Sequence, residues 1–239
     1  MSLDYEYFPS FEAAVAAAGE GYEDGVHLCG AAEVTYDLRG RTRQGQPITG
    51  LPGYVAHSLV AIAIASSRKP FWRPMRILDV GGGVGSAYAW AYSAFRMESE
   101  CTILETQLCA EYGKRFIRSP GLRFVHDPSA LRGRPDLVHM AGVLPYVPDV
   151  SAMLSAAVVR AAPFVFISRT MLGDEEEYFV QRVKRSTGAT AQPGRILSRR
   201  AIDDRMAALG YRLFASWDDT SWAGGARSLP APSLLWRRA

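Results

Sequence analysis

Cysteine is scarce in this chain. Cys29, Cys101 and Cys109 make an odd count, and none stands in Cys-x-x-Cys spacing. That argues against a disulfide framework or a thiolate zinc site, and leaves free thiols in a reducing, cytoplasmic setting as the expectation. The four histidines, His27, His57, His126 and His139, show neither His-x-x-x-His nor His-Glu-x-x-His spacing, so no metal is expected. Lysine is nearly missing: Lys69, Lys114 and Lys184 are the only three among 27 basic residues. No dense basic block with interleaved aromatics occurs, so nothing in the pattern calls for nucleic acid. No apolar run approaches the roughly 18 residues that cross a bilayer. The best candidate, Leu59–Ala65, is short and runs into Ser66, Ser67, Arg68 and Lys69. The opening Met-Ser-Leu-Asp-Tyr-Glu lacks a basic region, so no secretory leader is read there.

What remains is an ordinary globular composition. The chain has 239 residues, 48% of them hydrophobic, which suits one large domain or a domain with a small extension. The net charge of +3 is unevenly placed: residues 1–70 hold five basic and eight acidic side chains, residues 71–239 hold 22 and 16. A basic body is compatible with an anionic substrate, although the same balance occurs in proteins that bind none.

The chain divides on its pattern into an N-terminal helical cap or extension, residues 1–70, and a main domain, residues 71–239. In the first part Ser10 is placed to cap a helix over Phe11–Ala18, Arg39–Pro52 reads as a Gly-, Arg- and Pro-rich loop, and Tyr54–Ser67 has a helical apolar pattern. From Met75 onward strands and helices alternate. The strands are expected over Arg76–Val80, Cys101–Leu104, Leu122–Val125, Leu137–Met140, Pro163–Ile167, Tyr211–Trp217 and Ser233–Trp236. The helices are expected over Ala87–Met97, Gln107–Arg118, Ser151–Ala162 and Ser198–Leu209. Such alternation predicts an α/β fold, Rossmann-like, with a mostly parallel seven-stranded sheet and helices on both faces. The last two strands, with no helix between them, predict an antiparallel closing hairpin. Met171–Ile196 is long and mixed in polarity; with residues 1–70 it is positioned to form a lid, and its acidic run Glu175–Glu177 reads as a solvated helix face.

The central motif is Ile77-Leu78-Asp79-Val80-Gly81-Gly82-Gly83-Val84-Gly85-Ser86. A buried strand ends in a glycine turn that opens a helix, where backbone amides gather into a ligand crevice. A nicotinamide fingerprint would carry its third glycine at position 86, which is serine. An acid two residues before the first glycine suits a cationic ligand end, such as the amino group of methionine, better than a pyrophosphate. Glu105 follows the second strand, 20 residues after Gly85; an acid there can take both hydroxyls of a ribose, and a solvated glutamate at a helix start reads the same way. Asp127 follows the third strand before Pro128. It serves either as an acceptor for an adenine amine or as a turn-forming residue.

In order and spacing Asp79–Gly85, Glu105, Asp127 and the segment Leu137–Pro148 resemble the motifs of class I S-adenosylmethionine-dependent methyltransferases, over about residues 75–239. More narrowly, Tyr7–Ala13 with Gly21-Tyr22, Ile77–Ser86, Gly142–Asp149, Ser168-Arg169-Thr170 and Ser233–Arg237 resemble a bacterial family of methyltransferases associated with surface-polysaccharide genes. The resemblance implies S-adenosylmethionine (SAM) as cofactor. It implies that Gly81 and Gly83, within the loop that also holds Gly82 and Gly85, line the methionine part, that Glu105 takes the ribose, and that His126 and Asp127 meet the adenine edge. It also implies that Met140, Ala141 and Gly142 lie beneath the sulfonium. Methyltransferases acting on base or amide nitrogens often carry Asn/Asp-Pro-Pro-aromatic after strand four. Here that place reads Val143-Leu144-Pro145-Tyr146, which favours oxygen over nitrogen and a small-molecule or saccharide acceptor.

A general base helps when the acceptor is a hydroxyl. His126, His139, Tyr146 and Asp149 stand near the carboxyl ends of the strands. His139 lies within an apolar strand, so a hydrogen-bonded core histidine competes with a catalytic one, and Asp149 competes as a helix cap. Tyr146 is the strongest candidate to line the active site, and a packing role competes with it. Arg169 is placed to clamp an anionic acceptor, or to pair with Asp174 or the neighbouring glutamates. The alternative at the level of function is a protein that binds SAM without turnover.

Overall fold

The structure is a computed structural model that describes residues 2–19, 37, 40–41, 44–46, 53–70, 72–95, 99–156, 162–185, 188–218 and 231–239. Most of the expected loop Arg39–Pro52, the end of the expected helix Ser151–Ala162, and Gly21, Tyr22, His27, Cys29 and Met97 lie outside the described residues.

The chain opens with β1 (Ser2–Phe8), followed by α1 (Phe11–Ala18) and α2 (Gly53–Ser67). Then come β2 (Met75–Val80), α3 (Ser86–Phe95), β3 (Ser99–Leu104), α4 (Gln107–Phe116), β4 (Leu122–Val125), β5 (Leu137–Ala141) and α5 (Val150–Ser155). The remainder is β6 (Phe164–Ser168), β7 (Leu172–Gly173), β8 (Glu177–Arg185), β9 (Gly188–Ser198), α6 (Arg199–Ala208), β10 (Tyr211–Trp217) and β11 (Ser233–Arg238). Side chains cap α1, α5 and α6. Ser10 Oγ accepts from the Ala13 amide at 3.2 Å, Asp149 Oδ1 from Ala152 at 2.8 Å and Ser198 Oγ from Ala201 at 3.3 Å, each closing one otherwise unpaired helix donor.

Seven strands form the main sheet in the order β10-β11-β6-β5-β2-β3-β4. β2, β3, β4, β5 and β6 run parallel, and β11 runs antiparallel to both β6 and β10. The chain leaves β2 toward β3 and β4, then returns to β5 on the other side, so the strand order reverses between β2 and β5. In open α/β sheets the crevice for a ligand lies at that reversal, at the carboxyl ends of the strands. One face of the sheet, with Ile77, Ile103, Leu137 and Phe166, is covered by α2, α3 and α4; the other, with Leu78, Val138, Met140 and Ile167, by α5 and α6.

A second sheet, order β1-β8-β9-β7, is built from the chain's beginning and the segment after β6. β1 pairs with β8 over Ser2↔Lys184 to Phe8↔Tyr178, and β8 pairs with β9 over Glu177↔Ile196 to Arg185↔Gly188. The N-terminal extension is therefore not wholly helical, and the described part of Met171–Ile196 is built largely of strands β7, β8 and β9. The acidic run Glu175–Glu177 lies at the bend into β8 and not on a helix. A two-stranded ribbon is marginal alone; β1 supplies the third strand, and α1 covers the sheet with Phe11 and Ala14 buried.

Candidate functional site

The site is assembled at the carboxyl edge where β2 meets β3 and β5. The Gly81 amide donates to the Leu104 carbonyl at 2.9 Å, which ties the start of the bend to the end of β3. Gly82 has no room for a side chain: a Cβ there would fall 2.3 Å from Asp79 Oδ2. Gly83 is different. Its φ of 57° is left-handed, and the space beside it is open, with nothing within 4 Å of a built Cβ. Its amide donates to Glu105 Oε1 at 2.9 Å, and Glu105 Oε2 accepts from the Thr106 amide at 2.8 Å. The two carboxylates singled out in the sequence thus flank one bend: Asp79 beneath it, Glu105 across it.

Asp79 is buried, with one oxygen satisfied. Oδ1 lies 2.8 Å from His139 Nδ1, while Oδ2 has no hydrogen-bond partner among the described residues. His139 Nε2 lies 3.0 Å from Ser58 Oγ on α2, so both ring nitrogens are engaged inside the core. Ser58 is the polar residue on the otherwise apolar buried stripe of α2, with Val55, Leu59 and Ile62. That pattern signals a buried hydrogen-bond partner, but only the fold says which.

Asp127 accepts at Oδ1 from the Ser129 amide at 2.8 Å and at Oδ2 from the Ser129 hydroxyl at 2.5 Å, capping the short turn Pro128–Ala130. The Ser129 hydroxyl, then its amide, hold this carboxyl below its ordinary range. His126 beside it is exposed. Met140 sends its side chain into the core on the face away from His139, whereas Ala141 and Gly142 are half-buried at the strand end.

Beyond β5, Tyr146 ends a short turn, Leu144–Tyr146, and its ring lies against Gly194 of β9, where an added Cβ would come within 3.3 Å of Cε1. Arg195, also on β9 and buried, donates from Nη2 to the Val147 and Pro148 carbonyls at 3.0 and 2.9 Å and stacks 3.9 Å over the Phe11 ring. The second sheet is thereby fastened to the loop after β5; the sequence reading did not single out Arg195. Arg169 follows β6 with a left-handed φ of 52°, its guanidinium 4.7 Å from the centroid of Tyr54 on α2. A Cβ on Gly142 would meet Arg169 Cβ at 3.4 Å, so the two strand ends adjoin. Asp149, a helix cap, is spent on α5. Among the described residues, no group of three or more metal-ligating side chains occurs, and no helix is long and apolar enough to cross a membrane.

No protein-family model matches the chain, and no curated protein matches it in sequence. Solved structures match in fold. A SAM-dependent methyltransferase from Clostridium acetobutylicum aligns with a TM-score of 0.55 at 13% identity over 79% of this chain and 93% of that one. The 1,6-didemethyltoxoflavin-N1-methyltransferase of Burkholderia thailandensis, bound to 1,6-didemethyltoxoflavin and S-adenosylhomocysteine, aligns with a TM-score of 0.51 at 19% identity over 87% and 88%. An amino pentose methyltransferase of Micromonospora echinaspora, involved in calicheamicin biosynthesis, aligns with a TM-score of 0.52 at 16% identity over 85% and 96%. The chain has the Rossmann-like methyltransferase fold. Within that fold the glycine bend, Glu105 and the end of β5 occupy the reversal of strand order, where the architecture places ligands.

Proposed function

We propose that this chain is a SAM-dependent methyltransferase acting on a small-molecule or saccharide acceptor, more readily at oxygen than at nitrogen. The observation that carries the proposal is the pair of carboxylates on one glycine bend. Asp79 has an unpartnered buried Oδ2 beneath Gly82, and Glu105 reaches across to the Gly83 amide. That donor set fits a ligand with a cationic amino end and a ribose. On this reading Asp79 and the bend Gly81, Gly82, Gly83, Gly85 hold the methionine part, Glu105 the ribose hydroxyls, and His126 with Asp127 the adenine edge. Ala141 and Gly142, backed by Met140, underlie the reacting centre.

When bound, the sulfonium supplies a methyl group that is already electrophilic. The work left to the chain is to align the acceptor and keep water out. Tyr146 and Arg169 border the acceptor side in this reading. Tyr146 orients or deprotonates a hydroxyl, and Arg169, in a strained backbone conformation at a strand end, pairs with an anionic group of the acceptor. His139 does not act on the acceptor, because both its nitrogens are engaged in the core. Residues 1–70, joined by the ribbon of β8 and β9, serve as the cap over the main domain 71–239. The small acceptors named for the Burkholderia and Micromonospora enzymes support a small-molecule class, and the resemblance to surface-polysaccharide methyltransferases of bacteria supports a saccharide. Buried Cys101, a thiol outside any disulfide, fits a cytoplasmic setting.

A second reading, SAM binding without turnover, draws on one observation: Asp149 is a helix cap and His139 is fully bonded, which leaves Tyr146 and the exposed His126 as base candidates. Calorimetric titration with S-adenosylhomocysteine tests the shared premise, and absence of heat at millimolar ligand overturns both readings. Transfer of a labelled methyl group to acceptors in an extract of the source cells then separates them, since the non-catalytic reading allows none.

A further inference from the structure

The residue row that crosses the sheet just below the glycine bend is apolar except at its centre. Phe124, Ile103, Asp79, His139, Phe166 and Leu235 stand in register on adjacent strands. Asp79 and His139 are each only 2% exposed. Burying two ionisable groups is costly unless charges and lone pairs find partners.

A count of protons shows how that cost is met. Ser58 Oγ donates to the Tyr54 carbonyl at 2.9 Å, and a hydroxyl has one proton to give. With that proton on Tyr54, the His139 Nε2 that faces Ser58 Oγ at 3.0 Å must itself be an N–H donor. Nδ1 faces the Asp79 carboxylate at 2.8 Å and is a donor as well. In that arrangement of the hydroxyl, His139 carries two N–H groups and its bond to Asp79 is an ion pair. The opposite state is also served. If the Ser58 hydroxyl turns toward Nε2, a neutral ring with its proton on Nδ1 has every group bonded, and the Tyr54 carbonyl keeps its place in the helix ladder of α2.

The surroundings leave Asp79 as the hydrogen-bonded counter-charge. Phe166 stacks on the imidazole with ring centroids 5.3 Å apart. Cys101 on β3 is a neutral thiol, because burial, then the charge of Asp79, push it well above its ordinary range. On α2, His57 turns to Ser233 Oγ at 3.0 Å, and Tyr54 lies under the Arg169 guanidinium. Glu105 beyond β3 is held by the Gly83 amide.

We propose that Ser58 and His139 form a proton-releasing relay behind Asp79, triggered when a cationic ligand group takes the free Asp79 oxygen. The relay rests on the SAM-binding reading above. Asp79 Oδ2 is buried, unpartnered and turned to Gly82. A second cation on the same carboxylate, in a dry interior, repels the imidazolium. His139 loses its Nε2 proton to solvent, Ser58 moves its own proton from the Tyr54 carbonyl to Nε2, and Nδ1–H stays on Asp79. One N–H bond breaks and nothing else changes, so the buried carboxylate is matched by one cation before and after binding. His139 and Ser58 are positioning residues, since they act through Asp79.

Calorimetric titration in buffers of different ionisation enthalpy counts the protons. Two probes separate the amino end from the nucleoside: S-adenosylhomocysteine, which carries the amino group, and 5′-methylthioadenosine, which lacks the amino-acid part. The expected result is release of about one proton with the first, at a pH where the resting pair is charged, and none with the second. His139→Asn keeps a donor to Asp79 but cannot carry the charge, and is expected to bind S-adenosylhomocysteine with no release. The comparison of probes on the unaltered protein stands even where that variant fails to fold. No release with S-adenosylhomocysteine between about pH 5 and 8 overturns the relay alone, as does equal release with both probes or release that persists in His139→Asn. Failure of S-adenosylhomocysteine to bind overturns the methyl-transfer reading and the relay with it.

Discussion

The Gly83 amide donates to the Glu105 carboxylate at 2.9 Å, joining the bend after β2 to the end of β3. If Glu105 also takes the ribose, its loss removes a charge-assisted pair. Hydrogen bonds to charged groups contribute about 1.5–3 kcal/mol each, so Glu105→Ala is expected to weaken S-adenosylhomocysteine binding by about 10- to 150-fold. Isothermal titration measures it. A change under twofold removes Glu105 from the site.

Gly82 and Gly83 are adjacent, yet their alanine variants are expected to fail differently. A Cβ on Gly82 collides with Asp79 Oδ2, a buried atom of a carboxylate anchored through Oδ1 to His139. Overpacking of this kind costs about 1–3 kcal/mol, and at this chain length each kcal/mol lowers Tm by roughly 2–4 °C. A Cβ on Gly83 meets open space but sits at a left-handed φ, costing about 1–2 kcal/mol. It also stands where the backbone would approach a ligand. Thermal melts with and without S-adenosylhomocysteine separate the two: Gly83→Ala is expected to lose most of the ligand-induced rise in Tm. A full ligand-induced rise in Gly83→Ala counts against the bend as a ligand contact.

Arg195 fastens the second sheet to the loop after β5. Arg195→Met strands the Val147 and Pro148 carbonyls and removes the stack on Phe11. Val147 is half-buried and Pro148 exposed, so water takes up part of the loss and each bond removed costs about 0.5–1.5 kcal/mol. The expected signature is faster amide hydrogen exchange over residues 177–182 and 191–198, with β2, β3 and β5 unchanged. Uniform acceleration across both sheets contradicts a local fastening role.

Asp127 titrates below the usual carboxylate range because the Ser129 hydroxyl and amide bond its charged form. A depressed carboxyl contributes to the turn fully above its ordinary midpoint, and the contribution is lost as pH falls through the lowered one. Ser129→Ala removes the hydroxyl and is expected to raise the Asp127 midpoint toward its ordinary value. Carboxyl-detected NMR titration of both proteins reads the shift; an unmoved midpoint rules out the Ser129 hydroxyl as its main cause.

Much of the main sheet was legible locally. Strands such as Arg76–Val80 and Leu122–Val125 are short apolar runs bounded by turn residues, and helix caps at Ser10 and Ser198 depend only on neighbours three positions away. The second sheet was not. Tyr178, Val180 and Arg182 alternate with Phe179 and Gln181, which blurs polarity when both faces are half-buried, and β1 finds its partner some 176 residues later, as Gln181 donating to Tyr5 illustrates. The acidic run before β8 carries no mark that separates a bend from a helix face.

The glycine bend and its two acids are properties of the sequence itself, because a chain that must turn at a strand end without side chains writes that need as glycines at set spacing. The fate of each acid belongs to the tertiary structure. Asp79 meets His139 only because β2 and β5, 60 residues apart, align in register, and Ser58 joins them only because α2 lies on that face. Local periodicity specifies which face a side chain takes. Which partner waits there is set by strand order and register, and those follow from burying the whole sheet at once.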